Sequence, residues 1–186
     1  MTTEIKTRKS IVCGRIAATE EFVDSLNDIG DSQKKLLQTN WIDFIKIMEK
    51  LAIGHSRKYK MLNVATIVCG VLTPVSINLL PGGWAIPVGT MLGVIVSICV
   101  ALNQSNKYYI KEQHYRSFSE ELKIEGEKYL SLIEKYKEYS NHDEAFKLFM
   151  ENIEEIRERQ IYAYMTSIAH DNKKQEENMT SLAVNH

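Results

Sequence analysis

The stretch Met61–Asn106, MLNVATIVCGVLTPVSINLLPGGWAIPVGTMLGVIVSICVALNQSN, contains no charged residue and no histidine. It divides at Pro81-Gly82-Gly83-Trp84 into two apolar segments, residues 61–80 and 85–102. A helix of about 20 residues is about 30 Å long, which matches the hydrocarbon thickness of a bilayer. The stretch therefore predicts two membrane-spanning helices joined by a tight turn, with both chain ends on the same side.

The charge pattern predicts an all-α membrane protein in which a transmembrane helical hairpin carries cytoplasmic helical arms. The expected parts are an amino-terminal helical arm (1–60), the transmembrane hairpin (61–106), an antiparallel cytoplasmic helical hairpin (107–172) and a flexible tail (173–186). The polar composition of the last segment lacks the apolar residues needed for a packed core.

Basic residues flank the apolar stretch on both sides, whereas the turn between its two segments has none. The flanking residues are Arg57, Lys58, Lys60, Lys107, Lys111 and Arg116. Positive charge is retained in the cytoplasm during membrane insertion, so both termini are expected there. The first thirty residues contain no apolar run long enough for a secretory signal, and the first membrane helix is expected to direct its own insertion.

Composition argues against several classes of function. The net charge of −1 lacks the basic excess typical of nucleic-acid-binding domains. The three cysteines and five histidines are dispersed, with no spacing suited to a metal site. No phosphate-binding glycine loop, nucleophile motif or catalytic carboxylate pair is present in the sequence. We therefore expect no enzymatic activity, no cofactor and no metal.

Both polar arms carry apolar residues at helical spacing. In the first arm, the stripe consists of Leu37, Trp41, Phe44, Met48 and Leu51. A shorter helix is expected from Thr19 to Leu26, ending near Gly30. Steps of three and four residues place such side chains on one helix face.

The carboxyl-terminal arm carries two such stripes, separated by a polar turn at residues 140–143. The stripes are Tyr115, Phe118, Leu122, Tyr129, Leu132 and Tyr136, then Phe146, Phe149, Ile153, Ile156, Gln160 and Ala163. Ser140 or Asn141 is the expected helix cap. Antiparallel folding about residue 141 brings Glu125 near Arg157, which predicts a structural ion pair. The alternative is that Glu125 points to water.

The second apolar segment carries small residues four positions apart: Ala85, Gly89, Gly93, Ser97 and Ala101. Small side chains allow membrane helices to approach closely and gain van der Waals contact. Gly89, Gly93 and Ser97 are therefore predicted helix-packing residues. Their partner is either the first segment of the same chain or a neighbouring subunit.

The first apolar segment carries polar or small residues on one helical face: Asn63, Thr66, Gly70 and Thr73. Polar groups within a membrane need partners, so these residues either hydrogen-bond across helices or line an aqueous path. The second alternative makes them candidate pore-lining residues. Because two helices enclose no space, a pore requires a homo-oligomer.

A weak basic cluster precedes the first helical stripe. It consists of Lys6, Arg8, Lys9 and Arg15. Such a cluster is suited either to the anionic inner leaflet or, when several copies assemble, to a polyanion such as an oligonucleotide. These four residues are therefore the candidate ligand-binding residues.

Residues 50–165 resemble the SLATT superfamily of bacterial two-transmembrane effector domains. The resemblance rests on the charge-free pair with its Pro-Gly-Gly-Trp turn, then Tyr115-Arg116, Glu121-Leu122, Glu125, Tyr136, Phe146, Ile153-Glu154, Ile156 and Glu158. It implies a homo-oligomeric channel, with a tetramer favoured, in the bacterial inner membrane.

The same resemblance implies a function in anti-phage defence by abortive infection. Opening of the channel would depolarise the membrane of the infected cell. Hailong-type systems, in which such a channel accompanies a nucleotidyltransferase that makes an oligonucleotide, are similar in size. The resemblance therefore implies control by a nucleotide or oligonucleotide from a partner nucleotidyltransferase. The alternative function is a membrane-anchored helical scaffold for another protein.

Overall fold

The computed structural model describes the backbone of residues 2–79 and 82–184, and the side chains of residues 14–78 and 83–166. Within these ranges every regular element is helical and no strand is present. The α-helices are α1 (Thr2–Ser25), α2 (Asp31–Leu37), α3 (Asp43–Leu79), α4 (Ala85–Asn106), α5 (Tyr108–Leu130) and α6 (His142–Val184). The prediction of an all-helical chain is confirmed.

The chain divides into two compact units, which we name by their composition. The polar unit contains residues 1–47 and 117–186, and the apolar unit contains residues 48–116. The boundaries predicted from the sequence, at residues 60 and 106, were placed where the charged residues end and begin again. The two units are instead defined by which residues pack together. The first boundary between them lies within α3 and the second within α5.

The first helix is longer than its sequence pattern predicts. Helix α1 begins at Thr2 rather than Thr19, because the upstream residues form a helix without an apolar stripe that would reveal it. Gly30 does not end a helix but precedes α2, where its backbone N–H donates to Gln33 Oε1 at 2.8 Å. This bond satisfies one of the donors exposed at a helix start.

A π-helical turn over Gln38–Ile42 shifts the apolar stripe of the first arm. A π-turn adds one residue to the helical repeat, so Trp41 and Ile42 are both buried although they are adjacent. After this turn the buried face includes Ala52, whereas Leu51 is 39% exposed. Leu51 was predicted to lie on the buried stripe, and the extra residue explains why it does not.

Trp41 occupies the centre of the polar unit. Its indole Nε1–H donates to the Leu122 carbonyl oxygen at 2.9 Å, and its ring meets Phe149 edge-on at 5.4 Å between centroids. A β-carbon added to Gly126 would lie 1.7 Å from Trp41 Cζ2. Only glycine at position 126 leaves room for the indole against α5.

The predicted apolar faces of α5 and α6 are largely confirmed. Buried stripe residues are Phe118, Leu122, Tyr129, Tyr136, Phe149, Ile153 and Ile156. The rings of Tyr129 and Phe149 stack at 4.3 Å between centroids. The predicted antiparallel folding about residue 141 would place Tyr129 opposite Ile153, so the observed pairing is displaced by one helical turn.

The displacement arises because α5 ends at Leu130 instead of continuing to Tyr136. Leu132 and Glu134 have φ angles of 48° and 54°, so the chain turns in a left-handed conformation that neither residue type signals. A 3₁₀ turn, Glu134–Tyr136, completes this long connection.

The start of α6 follows the predicted capping pattern. Asn141 Oδ1 accepts the Glu144 backbone N–H at 2.9 Å, which confirms Asn141 as the cap. Beside it, His142 Nδ1 and its backbone N–H each lie 2.7 Å from Asp28 Oδ2. The helical backbone of α6 continues to Val184 and includes most of the segment for which the sequence predicts a flexible tail.

The predicted Glu125–Arg157 ion pair is wrong, and so is the alternative that Glu125 points to water. Glu125 is buried, accepts the Tyr136 hydroxyl at 2.5 Å and lies 2.8 Å from Lys135 Nζ. Arg157 pairs with Glu154 and covers the Phe44 ring. The early end of α5 explains the change, because the connection folds back and supplies both partners of Glu125.

Burial and the hydrogen bond to Glu125 together raise the pKa of the Tyr136 hydroxyl. Asn152 Nδ2 donates to the same hydroxyl oxygen at 3.0 Å. The tyrosine therefore remains a neutral donor, and the buried carboxylate keeps its partners. Breaking such a network leaves a buried polar group without compensation, which costs more than the bond itself contributes.

We expect Gly126→Ala to lower the free energy of unfolding of the polar unit by about 1–3 kcal/mol, the usual cost of overpacking a core. The new methyl group overlaps the Trp41 indole, which must move and lose its bond to Leu122. Thermal unfolding followed by circular dichroism measures the effect. Gly14→Ala is the matched control, since Gly14 also lies on a helix of the polar unit and nothing lies within 4 Å of its added β-carbon. Equal stability of the two variants would contradict the proposed fit.

Double-mutant cycles in unfolding free energy separate the observed partner of Glu125 from the predicted one. We expect Glu125→Gln and Tyr136→Phe to be coupled by about 1 kcal/mol or more, because these groups bond directly. Glu125→Gln and Arg157→Gln should be additive to within about 0.5 kcal/mol. Strong coupling of Glu125 with Arg157 would restore the ion pair and exclude the observed network.

Candidate functional site

Two helical segments of the chain, Asp31–Asn78 and Ala85–Tyr136, are long and apolar enough to cross a membrane. The most apolar 18-residue window of the first segment is 0% buried, and the corresponding window of the second segment is 6% buried. A core helix of a water-soluble protein buries such residues. These windows instead leave large apolar side chains exposed, including Val71, Ile86 and Met91.

Gly89 is the point of close approach between α3 and α4. A β-carbon added to Gly89 would lie 3.0 Å from Ile77 Cγ1 and 3.7 Å from Ser76 Oγ. Both Gly89 and Ser76 are buried. Of the two partners left open by the sequence, Gly89 therefore contacts the first apolar helix of its own chain.

Asn63 lies on the same helix pair and bonds across it. Asn103 Nδ2 on α4 donates to Asn63 Oδ1 at 3.2 Å. This is the interhelical bonding that the sequence left as one of two alternatives for the polar face of α3. Amide bonds of this kind add specificity to helix pairing in an apolar surrounding.

The other pore-lining candidates on α3 do not form one open polar face. The Thr66 and Thr73 hydroxyls donate to the carbonyl oxygens of Leu62 and Cys69, four residues earlier in the same helix. Both threonines are half-buried, whereas Gly70 is exposed. Pro74 follows Gly70 by four residues and has no N–H to donate to its carbonyl group.

The small-residue ladder of α4 separates into two faces. Nothing lies within 4 Å of a β-carbon added to Gly93, and Ser97 is exposed with its hydroxyl donating to the Gly93 carbonyl. Residues four positions apart differ by about 40° in direction around a helix. The later residues of the ladder, such as Ser97, therefore lie on a different face from Gly89.

A second stripe on α4 was missed by the sequence analysis. Thr90, Gly93, Ser97, Ala101 and Gln104 follow one another at steps of three and four residues, and all except the half-buried Gly93 are exposed. We call this set the α4 outer stripe. Its spacing is readable from the sequence, but the four-residue ladder through Gly89 concealed it. The stripe is small and polar, unlike the apolar residues on both sides of it.

The basic amino-terminal cluster is described only at Arg15. Its guanidinium Nη2 lies 3.0 Å from Glu127 Oε1, and both side chains are about two-thirds exposed. The side chains of Lys6, Arg8 and Lys9 lie outside the described residues. An exposed pair of this kind contributes little to stability, but it neutralises the charge that a polyanion would contact.

The polar unit contains an open groove of about 550 Å³ between α5 and α6. Its basic residues are Lys128, Lys135 and Arg159, and each already pairs with a carboxylate. The groove therefore offers an anion no uncompensated positive charge. Among the described side chains, no group of three histidine, cysteine or acidic residues is arranged to hold a metal ion.

Comparison with known proteins places the chain in a family. The model of a family described as protein of unknown function, DUF4231, matches residues 43–144. No curated protein and no solved structure gives a significant match. The matched region contains all of α3, α4 and α5, and therefore the contacts at Gly89 and between Asn63 and Asn103. The chain belongs to the DUF4231 family.

Proposed function

We propose that this chain is a multi-pass protein of the bacterial inner membrane whose copies assemble into a pore. The α3–α4 pair crosses the bilayer twice, and both termini lie in the cytoplasm. The exposure of the apolar windows supports insertion, because so much apolar surface is unfavourable in water. The basic flanks and the uncharged turn support the orientation.

The observation that carries the pore proposal is the α4 outer stripe. On a helix with apolar flanks, Thr90, Ser97 and Gln104 present hydroxyl and amide groups about every two turns. Such groups are better accommodated beside water than beside lipid. A ring of copies with this stripe facing the axis forms a polar path without ionisable groups, and weak ion selectivity is expected.

This proposal assigns the lining of the pore to α4 instead of to the α3 residues predicted from the sequence. Asn63 is already bonded to Asn103, and Thr66 and Thr73 are half-buried. The Thr90 and Ser97 hydroxyls also donate to carbonyl oxygens of their own helix, but both side chains are exposed, so the α4 outer stripe remains available between chains. The small side chains of Gly93 and Ala101 allow the α4 helices of several copies to lie close to the pore axis.

The resemblance to SLATT effectors supports a function in anti-phage defence. In this proposal, a homo-oligomer, a tetramer by preference, depolarises the membrane of an infected cell. A nucleotide or oligonucleotide from a partner nucleotidyltransferase controls it. Arg15 and the basic residues before it remain the proposed contact region for that ligand, and the Arg15–Glu127 pair would open when the ligand binds.

A membrane-anchored scaffold is the second candidate. It is favoured by the polar contacts within the α3–α4 pair, since the Asn63–Asn103 bond stabilises the pair without any second copy. In that case the helix pair is an anchor, and the packed polar unit is the platform for a partner protein.

Efflux from liposomes that contain purified protein separates the two functions. We expect Ser97→Leu to lower the ion efflux rate about tenfold or more, equivalent to a barrier higher by about 1.4 kcal/mol. Thr66→Val is the matched control on α3 and should leave efflux nearly unchanged. Retention of each variant after an alkaline wash confirms equal insertion.

Three outcomes would contradict the proposal in different ways. Protein released by the alkaline wash would exclude membrane insertion. Inserted protein that leaves vesicles tight, with and without added oligonucleotides, would favour the scaffold. Loss of efflux in Thr66→Val but not in Ser97→Leu would return the lining to α3.

A further inference from the structure

A cluster of aromatic and basic residues in the apolar unit lies beside the charge-free segments. His55 on α3 stacks on Tyr115 of α5, with 5.6 Å between ring centroids and 17° between planes. The Tyr108 ring is also close to His55, with 5.8 Å between the two ring centroids. The Nδ1 atom of His55 is buried and has no hydrogen-bond partner among the described residues.

Lys58 follows His55 by three residues on α3, and Lys111 follows Tyr108 by three residues on α5, so each lysine lies on the helix face that carries the ring next to it. Burial, and then the positive charges of Lys111 and Lys58, lower the pKa of His55. Lys58 Nζ also lies 5.8 Å from the centroid of the Tyr108 ring. Among the described residues, no carboxylate contributes to this shift. The cluster therefore concentrates positive charge, which a bound anion would stabilise.

The charged groups nearest in sequence do not supply that anion. Glu112, which directly follows Lys111, is buried and accepts from Arg116 Nη2 at 2.6 Å. Burial lowers the pKa of His114, which disfavours its charged form. The only carboxylate adjoining the cluster along α5 is therefore occupied by another cation.

Apolar surface adjoins the two lysines. Met61, three residues after Lys58, is 67% exposed, and Ile110, next to Lys111, is 53% exposed. A ligand with a phosphate and attached acyl chains matches both features. A free phosphate or nucleotide matches only the charge. The apolar neighbours therefore favour a lipid.

We propose that the phosphate of an anionic phospholipid binds between Lys58 and Lys111, with its acyl chains against Met61 and Ile110. The proposal rests on the membrane insertion stated above but not on pore formation. The phosphodiester, with one negative charge, offsets part of the repulsion between the two ammonium groups and connects α3 to α5 at the cytoplasmic boundary. His55 lies beside the site and reports on its occupancy.

The test measures the His55 pKa by NMR in full-length protein with labelled histidine. Nanodiscs of phosphatidylcholine alone are compared with nanodiscs that contain phosphatidylglycerol. The anionic lipid should raise the His55 pKa by about half a unit to one unit, since an added negative charge favours the imidazolium. Lys58→Gln or Lys111→Gln should abolish this difference between the two nanodiscs.

Lys60→Gln is the matched control, because Lys60 belongs to the same basic flank but is not among the causes that lower the His55 pKa. Native mass spectrometry of retained phosphatidylglycerol gives a second readout. We expect about a fivefold loss of retained lipid in Lys58→Gln, the usual effect of one lysine near a membrane surface. Lys60→Gln should retain lipid like the unmodified protein.

Each remaining outcome overturns the inference. An equal effect of Lys60→Gln and Lys58→Gln would show that anionic lipid is attracted to the basic flank as a whole and not to a specific site. A pKa rise with inorganic phosphate or an oligonucleotide in phosphatidylcholine nanodiscs would assign the anion to a soluble ligand. Inserted protein with no pKa difference would exclude the lipid site alone. Protein that fails to enter nanodiscs would also exclude the proposed membrane function.

Discussion

The absence of charge between Met61 and Asn106 constrains every other feature of this chain. In the proposed bilayer, backbone amides must bond within their own segment, a requirement that the helices α3 and α4 meet. Polar side chains there have few partners, and most of them bond to their own helix or to its neighbour. Thr66, Thr73 and Ser97 do the first, and Asn63 with Asn103 does the second. Charged residues lie only before Met61 and after Asn106, and Trp84 is the one aromatic residue between these positions.

Features that repeat locally along the chain were predictable from the sequence. The apolar faces of α5 and α6 and the Asn141 cap follow from spacing and residue type alone. Features that depend on the unusual backbone conformation of one or a few residues were not predictable. The π-turn at Gln38–Ile42 and the left-handed Leu132 change the register by amounts that no periodic pattern contains. The wrong Glu125–Arg157 pair is a direct consequence, since its register assumed an uninterrupted α5.

The candidate site was only partly predictable, for a different reason. A four-residue ladder drifts around a helix, so one set of small residues contributes to two faces. Gly89 contacts Ile77, whereas Ser97 faces outward. Sequence spacing identified both residues but could not assign them to separate faces. The cluster around His55 was also missed, because its members come from two helices and only folding brings them together.

The two tryptophans of the chain occupy opposite surroundings. Trp41 is 2% exposed in the polar unit, and Trp84 is 72% exposed in the apolar unit. Indole emission depends strongly on local polarity, so the chain carries one natural fluorophore in each unit. Replacing either indole with phenylalanine isolates the signal of the other. Water-soluble and lipid-linked quenchers can then follow the two units separately in a single unlabelled protein.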